Sequence, residues 1–526
     1  MKTERDYLLY VLPPLAPAPA SDPVGEEGRS EQKGGLCWLT FPERPQPGRQ
    51  EDRGAAAGGD GSAANGAGDE HFPEFHSAPP SHQILNIVRE NFVPFLQPQG
   101  PSRSNERWMV MWNDRAGQGL AKTWLDRIVL PILDFVGTPA SDIRVYESRQ
   151  SGWEDDLMKK TDEKRPTKVI ILGGDGTISD FLSQAYANHQ ERKKSDPSGC
   201  MDQLHFDLVI LPLGTANAMF FNTHPKVKEL SRPKDILAGL LDAVLEPTRR
   251  ADGVPELAPS RATLTEVQTL DRSKTLVQEL VAFVVTSTAL HASILETANR
   301  LVLQPDYQPA GTEVFQRAFL SNVSRTWNAT VSLLPSALDG TIQRYDPTTE
   351  RLLPVSMDGG GDGIGATPEV RLEGPFSYFT GCLVDRLESK FIIAPLRNPD
   401  RLPPSQQRSR ASTIDLVILR PTRDARLKSI LQDPQSTGPV RDDALTKFVS
   451  LVLQTAYHEG DHINLLSDDG LPIVEYYRCG GWIWTSTDQD QTHQVCIDGK
   501  VVEIPPDGGS VKVEVLSPDH TNITVY

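Results

Sequence analysis

The chain has 526 residues, a formal net charge of −17 and five cysteines. That length suffices for two or three domains, each burying its own core, and the acidic balance excludes a uniformly basic nucleic-acid surface, so no nucleic-acid partner is expected. Cys37, Cys200, Cys382, Cys479 and Cys496 are odd in number and scattered, with no C-x-x-C, which argues against a disulfide scaffold or a zinc site and for free thiols in a reducing, cytoplasmic setting.

The N-terminal MKTERDYLLYVLPPLAPAPA has a short apolar run soon broken by prolines and makes a poor signal peptide. Ala16 to Phe75 is rich in Gly, Pro, Ala and acidic residues, which predicts disorder. One island in it, GGLCWLTF, is expected to pair as a strand with YLLYVL, so 1–105 reads as a partly disordered appendage. From Arg107 strands and helices alternate: RWMVMWN, GLAKTWLDRIVLPILDFVG, DIRVYES, TKVIILGG, TISDFLSQAYANHQERKK, FDLVILPLG and PKDILAGLLDAVLE. This pattern predicts an α/β domain over 106–248, with a parallel sheet covered on both faces.

After Glu246 short β-rich runs follow, from LVAFVVTS through SYFTGCLV, KFIIAPL, TIDLVILRP, PIVEYYRC, GWIWTST, HQVCIDGK and SVKVEVLSP to NITVY. They predict an all-β antiparallel sandwich over 249–526, with flexible insertions near 339–370 and 397–412. The Trp and Tyr of EYYRCGGWIWTS read as sandwich core, DGGGDGIGA near Gly360 as linker, and QQRSRAST as solvated basic surface. The longest uncharged apolar stretch, Leu280 to Leu295, is too short to span a bilayer. A lipid would have to be reached from the water side, by peripheral association. No pattern sets an oligomeric state.

Three strand ends carry glycine loops. In VIILGGDGT a strand runs through Gly173, Gly174 and Gly176 into a helix, a geometry that brings backbone N–H groups and the helix dipole to a phosphate. Asp175 would repel that phosphate unless Mg²⁺ lay between them or its proton chemistry were used, so the loop suits phosphoryl transfer. NDRAGQG (Gly117, Gly119) and PLGTANAM (Gly214, Thr215, Asn217) would share the same sheet edge. No G-K-[ST] follows the glycines and no G-x-G-x-x-G follows the first strand, which disfavours a P-loop or a hydride-transfer dinucleotide.

At these residues the sequence resembles the diacylglycerol kinase catalytic superfamily, and within it the sphingosine and long-chain-base kinases, with ceramide kinases nearby. Asn113 to Gly119 is similar to N-P-x-G-G-x-G, GGDGT to the family signature, and PLGTANAM to P-x-G-[ST]-x-N-A. STALHASILET and CIDGK are similar to S-W-G-F-x-A-D and the V-D-G-E turn. The resemblance implies an ATP- and Mg²⁺-dependent kinase phosphorylating the hydroxyl of a sphingoid base or related lipid alcohol. It also implies roles. Asn113, Arg115, Gly117, Gly119, Gly173, Gly174, Gly176, Thr177, Gly214, Thr215 and Asn217 would serve the nucleotide. Asp175 would be the catalytic carboxylate and, with Asp498, would hold the metal. Ser293 and His291 would face the lipid substrate, although His291 alone reads as a satisfied core histidine.

Three departures stand out. Ser293 occupies the headgroup aspartate's position, Val314 that of a phosphate-pairing arginine, and Lys500 that of the V-D-G-E glutamate. Arg317, three residues past Val314, would share its helix face and substitute for it. An NAD kinase-type phosphotransferase shares GGDGT and the α/β core. A degenerate kinase fold that only binds lipid or nucleotide is the non-enzymatic alternative.

Overall fold

The computed structural model describes residues 5–11, 36–41, 74–78, 107–135, 138–158, 167–195, 203–230, 233–244, 260–304, 313–355, 370–402, 408–488, 491–506 and 508–526. Most of the low-complexity segment and the DGGGDGIGA stretch lie outside them. Near the N-terminus β1 (Arg5–Val11) pairs antiparallel with β2 (Leu36–Phe41), and β2 with β3 (Glu74–Ala78).

The α/β domain is built on β4 (Arg107–Trp112), β5 (Ile143–Glu147), β6 (Thr167–Gly173) and β7 (Leu204–Pro212), parallel and in the order β5-β4-β6-β7. Alternate residues of each strand serve opposite faces, as the two-residue period requires. Trp108, Val110, Ile170, Leu172, Val209 and Leu211 pack on one face against Trp124, Leu125 and Ile128. These last three come from α1 (Ala121–Trp124) and the π-turn Leu125–Val129, which runs on into α2 (Leu130–Phe135). The short α3 (Trp153–Met158) and the long α4 (Asp175–Ser195) follow β5 and β6; Trp153, Phe181 and Leu182 cover the face made by Met109, Ile171 and Phe206. α5 (Ala218–Thr223) and α6 (Pro233–Ile236) follow β7.

The second domain opens after β8 (Ser260–Arg261). One sheet has the order β10-β9-β22-β19-β12-β15, from β9 (Thr265–Leu270), β10 (Leu276–Ala282), β12 (Ala329–Leu334), β15 (Val370–Glu373), β19 (Gly481–Ser486) and β22 (Ser510–Val515). The other has the order β14-β13-β18-β17-β16-β11-β20-β21. Its strands are β11 (Val285–Thr288), β13 (Gln343–Asp346), β14 (Arg351–Pro354), β16 (Tyr378–Cys382), β17 (Ile414–Leu419), β18 (Val474–Cys479), β20 (Gln494–Ile497) and β21 (Lys500–Glu503). Their pairings are antiparallel, and Trp482, Trp484, Phe376 and Phe379 interleave as tilted and edge-on rings in the core. Four helices decorate the domain: α7 (Ala289–Val302), α8 (Glu313–Asn322), α9 (Ala425–Gln432) and α10 (Gly438–Ala456).

Several expectations need correction. NITVY is not a sandwich strand: as β23 (Thr521–Val525) it returns to the α/β sheet, parallel to β7 and antiparallel to β8. Its alternating Thr521, Ile523 and Val525 are buried, and that sheet edge is where two covered faces are available to them. The stretch expected to be flexible from 339 contains the β13–β14 hairpin. Arg397, expected in a loose linker, is buried and donates to the carbonyls of Leu383, Arg410 and Thr413. α9 and α10 were not foreseen within the β-rich half, although DALTKFVSLVLQTA carries apolar residues at helical spacing.

The two domains meet closely. Ser183 Oγ on α4 donates to Val281 O (3.2 Å) and accepts from Val281 N (3.3 Å) at the end of β10. Asn222 Oδ1 on α5 accepts from Asp385 N (3.1 Å). The aliphatic core on the α4 side of the parallel sheet is continuous with the sandwich core.

Candidate active site

The three glycine loops converge at the C-terminal edge of the parallel sheet. Asn113 N donates to Leu172 O (3.2 Å), Leu213 N to Gly173 O (3.1 Å) and Asp175 N to Ala216 O (3.0 Å), so backbone bonds stitch each loop to its neighbour. The glycines are a consequence of that closeness. A Cβ on Gly117 would lie 2.2 Å from Leu213 O, and one on Gly214 2.2 Å from the Gly174 Cα. Gly117 also has φ +53°, in the left-handed region. Gly176 has open space around it.

Side chains reinforce the stitching. Asn113 Nδ2 donates to Thr177 Oγ1 (2.8 Å) while Asn113 Oδ1 accepts from Arg115 N (3.0 Å). Asn217 is buried and closes its own loop, accepting from Gly214 N (3.2 Å) and donating to Gly214 O (2.8 Å). Its amide is therefore committed to loop shape. Arg115 and Thr215 are exposed at the rim.

Asp175 is the first residue of α4 and is buried. It accepts from Ala218 N (2.6 Å) and Met219 N (3.3 Å) at the start of α5, so one carboxylate ties two helix N-termini together. Burial pushes its pKa up to about 6, against the opposing pull of those two N–H groups.

Asp498 enters from the sandwich, on the turn between β20 and β21, with φ +48°. It too is buried. Oδ2 accepts from Phe283 N (2.9 Å), and Oδ1 from Val284 N (2.9 Å) and Val285 N (2.8 Å), all at the mouth of β11. Burial pushes its pKa up to about 7; the three N–H groups oppose this, and the charge of Asp175 adds to it. The charge of Asp175 in one domain thus raises the cost of ionising Asp498 in the other, which a divalent cation between them would relieve. Each Asp175 oxygen and Asp498 Oδ2 accept one N–H and keep a lone pair. Among the described residues no group of three or more His, Cys, Asp or Glu side chains is placed to hold a metal. The donors fit Mg²⁺, which takes one or two carboxylates and completes its shell with water and phosphate oxygens; they do not fit a metal caged by protein.

In the sandwich, β11 leads into α7 through Ala289 at φ +57°. Ser287 Oγ lies 2.6 Å from His291 Nδ1, and the His291 ring stands edge-on to Tyr378. Burial pushes the His291 pKa down to about 4, so the imidazole is neutral at pH 7. Ser293, one turn into α7, is buried. Val314 is packed with Ala298 and Ala318 in a small apolar cluster, while Arg317 is largely exposed and pairs with Glu313 (3.4 Å). Lys500 is exposed just past Asp498.

Sequence reasoning missed the backbone donors of Ala218, Met219 and Phe283 to Val285, and the Asn222–Asp385 link. Main-chain groups leave no residue-type signal, so none of these was findable from composition or motif.

Residues 107–249 match the family model of the diacylglycerol kinase catalytic domain. The matched span contains all three glycine loops and ends before the sandwich, and the α/β domain carries a kinase-type catalytic fold. No curated protein matches the chain. Among solved structures, yeast NADH kinase complexed with NADH is 9% identical, covering 82% of this chain and 87% of that chain at a TM-score of 0.32. At that identity and score the likeness carries no argument about chemistry.

Proposed function

We propose that this chain is an ATP-dependent lipid kinase that transfers the γ-phosphoryl group to the hydroxyl of a sphingoid base or related lipid alcohol. The observation that carries the reading is the convergence of three glycine loops on the buried Asp175 at the C-terminal edge of the parallel sheet, with Asp498 of the sandwich near enough to feel its charge. Mg²⁺ between these carboxylates and the nucleotide would neutralise the charge that develops during transfer. Asp175, held by Ala218 and Met219, accepts the proton of the attacking hydroxyl. The start of α4 supplies a helix dipole at the phosphates, and Asn113 fixes Thr177 in the same turn.

Neutral groups face the acceptor. Ser293 carries no charge and His291 is held neutral by burial, so an ammonium headgroup gains no counter-ion from them. A neutral lipid alcohol is therefore favoured relative to what a carboxylate site would select. Peripheral membrane association is supported by exposed aliphatics near the ends of α7 and α8: Val302 (56% exposed), Leu303 (83%) and Leu320 (70%). Among the described residues no helix is long and apolar enough to cross a membrane.

The test is transfer from radiolabelled ATP to a panel of sphingoid bases, ceramide, diacylglycerol and monoacylglycerol, with NAD as a further acceptor. Lipid phosphorylation by wild type that is lost in Asp175→Asn supports the reading. Phosphorylation of NAD alone, or nucleotide binding without turnover, overturns it.

A further inference from the structure

A second concentration of charge lies on the sandwich, away from the glycine loops. Asp415 on β17 (0% exposed) takes Arg478 Nε and Nη2 of β18, both at 2.7 Å, on its two oxygens, and the Tyr476 hydroxyl donates to it as well. Arg397 Nη1 stands 4.0 Å from the same carboxylate, and Arg397 Nη1 donates to Arg410 O (3.1 Å). Asp385 nearby is already engaged by Arg386 in a two-pronged pair (2.9 and 2.8 Å). Among the described residues three guanidiniums, those of Arg478, Arg397 and Arg386, thus meet two carboxylates, and the Arg410 guanidinium is near enough to feel the charges of Asp415 and Arg478.

The excess is matched by missing partners. Arg478 is 1% exposed, yet its Nη1 is buried with no hydrogen-bond partner, and the buried Nε of Arg410 has none either. A buried guanidinium N–H without an acceptor is costly, and uncompensated buried charge more so. Burial and the neighbouring Arg478 charge both pull the Arg410 pKa down, although Asp415 opposes them. Arg410 is only half buried, which leaves the cluster reachable from solvent on that side.

We propose that Arg478 and Arg410, backed by the charge of Arg397, whose N–H groups already serve the carbonyls of Leu383, Arg410 and Thr413, form a binding site for a phosphate-type oxyanion, either free or as a lipid headgroup. Guanidinium forks match the tetrahedral oxygens of phosphate, and a dianion balances the two surplus charges. The site is separate from the proposed nucleotide edge. Asp415 and Arg478 lie in the same cross-sheet row as Cys382 and Val285, so β18 sits three strand spacings, roughly 14 Å, from the Val285 N–H that holds Asp498. The cluster also braces the domain contact. Arg397 donates to Leu383 O (3.2 Å), Leu383 N to Val284 O (2.9 Å), and Asp385 N to Asn222 on α5.

The experiment compares the full chain with Arg410→Gln in sodium phosphate and in sodium chloride at matched ionic strength, by calorimetric titration and thermal unfolding. Phosphate should raise the wild-type Tm beyond chloride. The variant should bind phosphate at this site about 10-fold more weakly, the loss expected for one charged hydrogen bond. In anion-free buffer it should be no less stable than wild type, because it sheds an uncompensated charge. Phosphate bound at the glycine loops would be unaffected by this substitution, so failure here leaves the kinase reading standing. Vesicles of phosphatidic acid against phosphatidylcholine separate the two sources: Arg410-dependent sedimentation with the acidic vesicles marks a headgroup, and its absence beside phosphate binding marks the free ion. Phosphate no more stabilising than chloride, an unchanged gain in Arg410→Gln, or a variant less stable without anions overturns the site.

Discussion

At the scale of single residues, Asp175 and Asp498 set the behaviour to test. Asp175→Asn should lower transfer by about 10²–10⁴-fold, the usual loss for a catalytic acid–base group. It should not lower Tm at pH 7, because the amide sheds the burial cost that pushes the Asp175 pKa up to about 6 and outweighs the pull of Ala218 N and Met219 N. Turnover and unfolding measured on the same preparation check both. The raised pKa of Asp498 has a definite sign in stability. Its folded value near 7 lies above the unfolded value near 4, so its contribution is fully present below pH 4 and is lost as pH rises through 7. The size is on the order of 4 kcal/mol. Asp498→Asn should flatten the fall of Tm between pH 5 and 8, and Mg²⁺ should raise the wild-type Tm more at pH 8 than at pH 5. A Tm profile in the variant that tracks wild type would refute the assignment. The chemical types of these residues were legible in GGDGT and CIDGK. Their burial was not, because it follows from contacts with segments 43 residues away for Asp175 and 215 for Asp498.

At the scale of elements, the glycine loops make a sharp comparison. Gly117→Ala places a Cβ 2.2 Å from Leu213 O and forces a left-handed backbone on alanine, so loops that must touch are driven apart. Lower Tm and weaker nucleotide binding are expected. Gly176→Ala meets nothing and favours the helix it begins, so it should fold at least as well as wild type. Equal stability of the two variants would mean that loop contact does not select these glycines. The strands and helices around the loops were readable from their periods, whereas α9 and α10 were hidden by a β-rich neighbourhood and flanking turn residues. The surroundings of Arg317 were hidden for a related reason. Sequence spacing puts it beside Val314 on α8, but says nothing of which side meets α7, and the apolar residue took that side.

At the scale of the molecule, β23 decides how the parts hold together. A chain ended after Ser517 would lose β23 and bare the edge of β7, whose Phe206, Leu208 and Ile210 are fully covered. Exposed strand edges and apolar surface promote association, so the truncated protein should be recovered largely as aggregate. Monomeric, active protein at wild-type yield would show that β23 is dispensable. The reading of an α/β half followed by a β half missed this return, since five residues of NITVY carry no mark of which sheet they will join.

The return of β23 has a mechanical consequence. The segments that enter and leave the sandwich lie side by side: Arg261 Nη2 reaches Pro518 O and Thr521 O (both 2.8 Å), Ala262 N reaches Ile523 O and Leu516 N reaches Leu264 O (both 2.9 Å). The sandwich therefore hangs from a double strap instead of a single thread. A double strap resists twisting about its own length and yields most readily by bending across it. A swing of Asp498 toward or away from Asp175 would bend across that strap and would also break the Ser183–Val281 and Asn222–Asp385 bonds.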